Sequence, residues 1–156
     1  MSRERNIVNR LKTDLEGING SSGGYTYDLS GDDQVIIGDQ FNPIRLPCLY
    51  LFIGTTTTEQ AAGRTLLTQY DRTMTAFVVG FVQATNDNPG ELMLRALDLQ
   101  SDIMKCLESD RGLNGYCSDL EVAGQTYLGG ELSLPSLGIA ALEVKITYRQ
   151  DAGTGT

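Results

Sequence analysis

Residues 71–84, DRTMTAFVVGFVQA, carry the strongest β-strand signal in the chain. Side chains alternate along a strand, so this stretch divides into one face with Thr73, Thr75, Phe77, Val79 and Phe81 and another with Met74, Ala76, Val78 and Val82. Both faces become apolar toward residue 82. This pattern is typical of a strand inside a sheet that is covered on both sides, or covered on one side and used for a subunit contact on the other.

The chain after this strand predicts a long helix. Residues 88–91, Asn-Pro-Gly-Glu, are typical of a helix start, because asparagine caps the first amides, proline is tolerated there and an acid suits the positive end of the helix dipole. One face is then apolar at steps of three and four residues: Leu92, Ala96, Leu99, Ile103 and Cys106 or Leu107. Leu94 and Leu97 lie well off this face, which indicates that a second side of the helix is also covered.

Three further stretches predict strands, one before this helix and two after it. Cys48–Ile53 is a continuous apolar run, typical of an interior strand. Ile139–Arg149 alternates apolar and polar residues, so we expect one buried and one wet face. Cys117–Leu128 predicts another strand, with a possible bulge at Gly124.

Near the N-terminus the sequence predicts a helix followed by a hairpin. Ser2 can cap the helix and Gly17 can end it. Its apolar stripe repeats every four residues, at Ile7, Leu11, Leu15 and Ile18. Tyr25–Leu29 and Gln34–Gly38 are two short strand candidates, separated by a Gly-Asp-Asp turn, that can pair with each other.

The order of these elements predicts an α+β domain. We expect a largely antiparallel or mixed β-sheet with two α-helices packed on one face and long exposed loops. The other sheet face is left to partners or solvent. Residues 1–149 are predicted to form a single domain, and residues 150–156, which are polar and glycine-rich, a flexible tail.

Two segments are predicted to be exposed connections. Residues 55–64, TTTTEQAAGR, are polar and small without a clear period, so we expect a long excursion that either binds something or is a tolerated flexible loop. Residues 41–47 contain two prolines and connect two strand candidates.

The composition excludes several classes of chemistry. The formal net charge is -8 without a basic cluster, which disfavours nucleic-acid binding because that depends on cations at phosphates; the charge also favours solubility. Histidine is absent, which removes the usual general base, the triads that use it and most zinc sites. The glycine-rich residues 17–24 lack the Lys-Ser or Lys-Thr of a phosphate loop. We therefore expect no catalytic residue, no cofactor and no metal.

The acidic residues fit turns and solvated helix faces better than a cation site. Asp102 and Lys105 have the spacing of a surface ion pair, and Asp98 with Asp102 is predicted to be an exposed acidic pair. Asp32 and Asp33 lie in a turn without the ligand spacing of a calcium loop.

The cysteines and the chain start favour a reducing, cytoplasmic setting. The three cysteines, Cys48, Cys106 and Cys117, are an odd number and fit reduced, buried thiols. We expect no signal peptide and no membrane segment, since no apolar run approaches the ~18 residues that a membrane helix needs.

Six short segments, taken in order, form a pattern across residues 3–149. They are LEGING at 15–20, GY at 24–25, LPCLYL at 46–51, GFV at 80–82, LQSDI at 99–103 and LEVKITYR at 142–149. Their order and spacing resemble those of tail terminator and tail completion proteins of long-tailed bacteriophages. No single motif carries the resemblance.

The resemblance implies a structural virion protein and not an enzyme. Such proteins form a homo-hexameric ring that caps the tail tube, ends its polymerisation and presents a surface to the head-tail connector. The implied partners are other copies of the chain, the tail tube protein and the connector protein. The implied location is the head-proximal end of the virion tail, after assembly in the host cytoplasm. DNA would pass through the lumen without specific binding, and an acidic wall would keep its phosphates from sticking.

Ring closure needs heterologous contacts, for which sheet edges and helix flanks are candidates. From exposure and composition, we expect the segments Thr55–Tyr70 and Gly38–Arg45 to contact the tube or the connector. The candidate interface residues are Phe41, Arg45, Thr57, Arg64, Tyr70, Arg72 and Leu94.

Other functions stay open on the sequence alone. A head-completion or neck protein shows a similar mix of elements, and a tail tube subunit would form long polymers instead of single rings. A small-molecule binding domain or a histidine-free enzyme belongs to a different class. Its signature would be a closed apolar pocket with a perturbed acid in a monomeric protein.

Overall fold

The computed structural model describes residues 2–43, 45–60, 69–83, 89–129 and 137–151. Within these ranges the chain forms helices α1 (Arg3–Glu16) and α2 (Pro89–Ser109). The strands are β1 (Val35–Ile37), β2 (Cys48–Gln60), β3 (Gln69–Gln83), β4 (Asp119–Gly129) and β5 (Leu137–Asp151). Short 3₁₀ turns lie at Gly20–Gly23 and Leu113–Gly115. The predicted α+β class is confirmed.

The strands form one mixed five-stranded sheet in the order β1-β2-β3-β5-β4. The pair β1 and β2 is parallel, and the other neighbouring pairs are antiparallel. The strand with the strongest sequence signal, β3, is central, as predicted. The bulge in β4 lies between Val122 and Gly124, which also agrees with the prediction.

Both helices pack on the same face of the sheet, where the main core lies. Ser2 caps α1 by accepting a hydrogen bond from the backbone N–H of Arg5 at 3.2 Å, as expected. The predicted stripes of both helices belong to one buried cluster, with Ile7, Leu11 and Leu15 from α1 and Leu92, Ala96, Leu99 and Ile103 from α2. The sheet contributes Met74, Ala76 and Val78 from β3 and Ala140, Leu142, Val144 and Ile146 from β5 to the same cluster. Neither α1 nor α2 is long and apolar enough to cross a membrane, and no other helix in the described ranges is.

The second face of the sheet carries a smaller cluster at one end. Cys48, Tyr50, Val79, Phe81 and Ile139 are buried there. Phe41 covers this cluster, with ring centroids 5.0 Å from Tyr50 and 5.5 Å from Phe81. The connection before β2 therefore packs on the sheet face that the helices leave open.

The predicted hairpin of residues 25–29 and 34–38 is wrong. Residues 25–29 form only an isolated bridge, between Asn19 and Asp28, and β1 pairs in parallel with β2. The reason is a carboxylate on α2: Asp102 accepts the backbone N–H of Thr26 at 3.0 Å and that of Tyr27 at 2.8 Å. These amides are satisfied by a helix side chain instead of by a neighbouring strand.

Asp102 is therefore not the exposed surface acid that the spacing predicted. Its side chain is buried, so neither the exposed pair with Asp98 nor the surface pair with Lys105 is correct. Lys105 instead donates hydrogen bonds to the carbonyl oxygens of Gly23 and Gly24, at 2.8 and 3.1 Å. Both side chains join α2 to the segment that follows α1.

The predicted excursion after residue 53 is wrong in its first half. Strand β2 continues to Gln60 and pairs with β3 as far as Tyr70, after an irregularity between Ile53 and Thr56. Threonine is β-branched and suits a strand, although a polar run without a buried face is also typical of a loop. Residues 61–68 lie outside the described ranges.

The C-terminal strand also extends further than expected. Residues 150 and 151, predicted to begin a flexible tail, belong to β5 and pair with Tyr70 and Gln69. Gln150 is buried there. Residues 152–156 lie outside the described ranges.

Candidate protein interface

Seven large apolar side chains in the described residues are exposed: Ile37, Phe41, Ile53, Met93, Leu94, Leu97 and Tyr116. Six of them fall into two groups. The first group lies at the β1 edge of the sheet. The second lies on α2, which packs on the same sheet face as α1 but over β3, β5 and β4, toward the β4 edge.

The first group forms the edge groove, which we define as the hollow lined by Val8, Ile37, Phe52 and Ile53 together with Phe41 beside it. The hollow has a volume of about 460 Å³ and lies between α1 and the ends of β1 and β2. It exists because β1 stops at residue 37 while β2 continues, so α1 does not close over the edge. Phe52 lines the hollow, and its ring centroid lies 5.9 Å from that of Phe41. The apolar surface therefore continues around the edge onto the second sheet face.

The second group forms the helix ridge, which we define as Met93, Leu94 and Leu97. Three residues at these spacings fall within roughly 100° of arc on a helix, turned away from the buried stripe. The ridge stands beside a hollow between α2 and β4, which Leu97, Met104 and Gln125 line. Gln100 fixes α2 over β4 by donating to the carbonyl oxygen of Thr126 at 3.1 Å.

The far end of the second sheet face is a polar hollow of about 490 Å³. Its lining comes from β2, β3, β5 and β4: Thr57, Thr73, Thr75, Lys145, Thr147, Asp119 and Glu121. Lys145 is paired in register with Thr75 on one side and with Glu121 on the other. Mixed charges and hydroxyl groups on an open face give a wet surface that is not a closed ligand pocket.

Arg72 joins the helix layer to the sheet. Its Nη1 lies 3.3 Å from Oε1 of Glu4 in the first turn of α1, and the hydroxyl of Tyr148 donates to the same oxygen at 2.8 Å. Burial alone would raise the pKa of Glu4, but the Tyr148 hydrogen bond and the Arg72 charge hold it below its usual value. Burial and the bond to Glu4 raise the pKa of Tyr148 to about 12. This network stabilises the fold and leaves Arg72 engaged within the chain.

The carboxylates of Asp14, on α1, and Asp110, just after α2, share Arg10 as a partner. Arg10 Nε lies 3.1 Å from Asp14 Oδ1 and 3.1 Å from Asp110 Oδ2. Burial and the neighbouring Asp110 raise the pKa of Asp14 to about 7. Asp110 has its pKa lowered, because hydrogen bonds from Asp14, the Asn114 N–H and Arg10 outweigh the effect of burial. The pair therefore shares one proton near neutral pH, away from both apolar surfaces.

The cysteines are free and buried, as predicted. Burial raises the pKa of Cys48 to about 11, of Cys106 to about 12 and of Cys117 to about 11. A thiol acts as a nucleophile only as its thiolate, so these groups are poorly suited to catalysis at neutral pH.

The seven predicted interface residues do not form one site. Phe41 belongs to the edge groove and Leu94 to the helix ridge, while Thr57 lies in the polar hollow and Arg72 is held by Glu4. The remaining predicted residues divide as follows. Arg45 is exposed and donates to the carbonyl oxygen of Asp32 at 3.3 Å. The backbone of Tyr70 lies in β3, whereas its side chain and the whole of Arg64 lie outside the described part of the chain.

Ile37, Ile53, Met93 and Leu97 are exposed residues that the interface prediction missed. Ile37 and Ile53 sat in apolar strand candidates, where an inward side chain is the default expectation. Leu94 and Leu97 lie off the buried stripe, as the sequence indicated, but both are exposed, so no described part of the chain covers this second side of the helix as predicted. Met93 carried no separate signal.

No group of three or more Cys, Asp or Glu side chains in the described ranges could hold a metal ion. Clustered exposed apolar side chains, such as those of the edge groove and the helix ridge, are typical of surfaces that contact other proteins. The chain matches no known protein-family model, and no curated protein is significantly similar to it.

Proposed function

We propose that this protein is a phage tail terminator, which assembles as a ring on the end of a tail tube, stops its growth and joins it to the head connector. The proposal rests on the family resemblance, and it is supported by the elements in which the segments of that resemblance lie: residues 46–51 lead into β2, residues 80–82 lie in β3, residues 99–103 in α2 and residues 142–149 in β5. Assembly is the activity, and the chain makes and breaks no covalent bond in it.

The observation that carries the proposal is the division of exposed apolar surface between two sides of one chain. The edge groove lies at the β1 edge of the sheet, whereas the helix ridge lies on α2, which packs over β3, β5 and β4 toward the other edge. A monomer would leave both in water, whereas a subunit with a neighbour on each side would bury both. Ring subunits need this two-sided arrangement.

The acidic character of the chain is compatible with a DNA passage. At a net charge of -8, a ring of several copies carries strong negative charge, and DNA phosphates would be repelled from its inner wall. This keeps the lumen free of tight binding while DNA moves through it.

The direct test is termination of tube growth. Tail tube protein is polymerised alone and with increasing amounts of this chain, and tube lengths are measured by negative-stain electron microscopy. A terminator shortens tubes in proportion to its concentration and leaves a cap at one end. A tail tube subunit would instead copolymerise with the tube protein and lengthen the tubes. A neck protein would bind finished heads without changing tube length.

A further inference from the structure

We propose that copies of this chain contact each other head to tail, with the helix ridge of one copy seated in the edge groove of the next. The inference rests on the proposed ring and goes beyond it by naming the two surfaces that meet. Its occupant is therefore a second copy of this chain.

The two surfaces match in shape and polarity. The edge groove is a hollow of about 460 Å³ with mainly apolar walls, open at the edge of the sheet. The helix ridge is convex, and its leucines, Leu94 and Leu97, stand one turn apart on an exposed helix face. An apolar helix side entering an apolar groove is a common recognition mode, read out at positions separated by about three or four residues.

The rims carry opposite charges. Arg5 lines the edge groove and is exposed. Asp98 is exposed on α2 one turn after Leu94 and next to Leu97. Within the described ranges neither side chain forms an ion pair, whereas Glu4, the other charged residue of the groove, is bound to Arg72 and Tyr148. With the ridge in the groove in the orientation that pairs them, Arg5 and Asp98 would fix the orientation of the contact more than its affinity.

The position of the two surfaces decides the symmetry. A contact between different surfaces is heterologous, so an open chain of copies keeps a free groove at one end and a free ridge at the other until the assembly closes. Closure adds a contact within the same particle, at high effective concentration, so closed rings should dominate over short open chains.

The test uses one substitution in each surface and a mixture of the two variants. Ile37→Glu disables the groove and Leu94→Glu disables the ridge; these side chains are 47% and 60% exposed, so both variants should fold. The matched control is Tyr116→Glu, which alters an exposed apolar residue outside both surfaces. This substitution keeps the backbone carbonyl oxygen of residue 116, which accepts a hydrogen bond from Arg3. Folding is checked by circular dichroism and mass by native mass spectrometry.

The expected results form a set. Wild type and the Tyr116→Glu control oligomerise, and each single surface variant is monomeric, with self-association weakened by at least ~100-fold. An equimolar mixture of the two monomeric variants forms one-to-one dimers and nothing larger, because only one groove and one ridge stay intact.

Three outcomes would overturn the contact: a wild-type protein that stays monomeric at high concentration, oligomers that survive either substitution, or a Leu94→Glu variant that still dimerises through its groove side. Tube capping separates this inference from the proposed function. Rings that persist in both variants and still cap tubes would keep the function and remove the contact. Oligomers that follow the expected set but never cap tubes would keep the contact and remove the function.

Discussion

Asp102 shows how a single side chain sets the path of a whole segment. Its buried carboxylate accepts three short contacts from the amides of Thr26 and Tyr27, between 2.8 and 3.1 Å. A hydrogen bond to a charged acceptor of this kind contributes about 1.5–3 kcal/mol to the stability of the fold. Loss of the acceptor would also leave the amides unpaired, which adds to the cost. The segment between α1 and β1 is therefore held to α2 by this residue.

We predict that Asp102→Ala lowers the free energy of unfolding by roughly 2–4 kcal/mol, measured by urea denaturation. Asp98→Ala is the matched control, because it removes an exposed acid one turn earlier on the same helix. Equal stability of the two variants would contradict the role assigned to Asp102.

The carboxylate pair beside Arg10 gives a prediction about pH. The pKa of Asp14 rises from 3.8 in the unfolded chain to about 7 in the fold, so the folded state holds the proton more tightly. The stability that this adds is fully present below about pH 4 and is lost as pH rises through about 7. Asp110 acts in the opposite direction, because its pKa is lowered.

We therefore predict that Asp14→Asn raises the melting temperature relative to wild type at pH 8, by roughly 2–4 °C, and changes it less at pH 5. Asp110→Asn should do the reverse and destabilise the protein at pH 8. Differential scanning fluorimetry across this range measures both. A constant offset between Asp14→Asn and wild type at all pH values would contradict the shared proton.

Sequence rules predicted that Ser2 caps α1 but did not predict the partners of Asp102. The separation along the chain between each side chain and its partner explains both outcomes. A cap and its target are three residues apart, so local spacing contains the whole interaction. The carboxylate of Asp102 meets amides 75 and 76 residues away, and spacing within the helix indicates only Asp98 or Lys105 as partners. Polar contacts between distant segments are not encoded in local periodicity.

At the scale of elements, the packing of α2 on β3 depends on a residue without a side chain. A Cβ atom on Gly80 would lie 2.6 Å from Leu99 Cδ2 and 2.8 Å from Leu49 Cδ2. Both leucines are fully buried, so neither has free space to move into. Glycine at this position lets the helix approach the central strand.

We predict that Gly80→Ala destabilises the protein by about 1–3 kcal/mol through overpacking. Gly112→Ala is the control, because no heavy atom lies within 4 Å of its added Cβ and its φ of -85° suits alanine. That substitution should be neutral or stabilise by about 0.4–1 kcal/mol. Chemical denaturation of both variants measures the difference, and equal effects would show that the helix can shift to accept a methyl group.

The sequence predicted the strands correctly where at least one face is buried. Where neither face is buried, it predicted a loop instead of a strand. The alternation in β5 and the two apolar faces of β3 follow directly from burial on the sheet. The outer half of β2 carries exposed threonines that contact no core, so no hydrophobic period distinguishes it from a loop. The parallel pairing of β1 was also missed, because two short neighbouring strands predict a hairpin unless distant contacts are known.

At the scale of the whole molecule, the sequence marked two residues of the helix ridge but gave no sign of the edge groove. Leu94 and Leu97 depart from the buried stripe of a single helix, which the sequence displays. The groove requires α1, β1 and β2 to meet with β1 ending early, which only tertiary structure reveals. The proposed account of function depends on this pair of surfaces, because the proposed contact seats one in the other.

The measurement that bears most directly on this account is imaging of the protein together with tail tubes. We predict six-membered rings seated on one end of each tube, and bare tube ends when Ile37→Glu or Leu94→Glu replaces the wild type. Bare tube ends in the presence of the wild-type chain would contradict the account if that chain instead remains a monomer and either converts or encloses a small molecule.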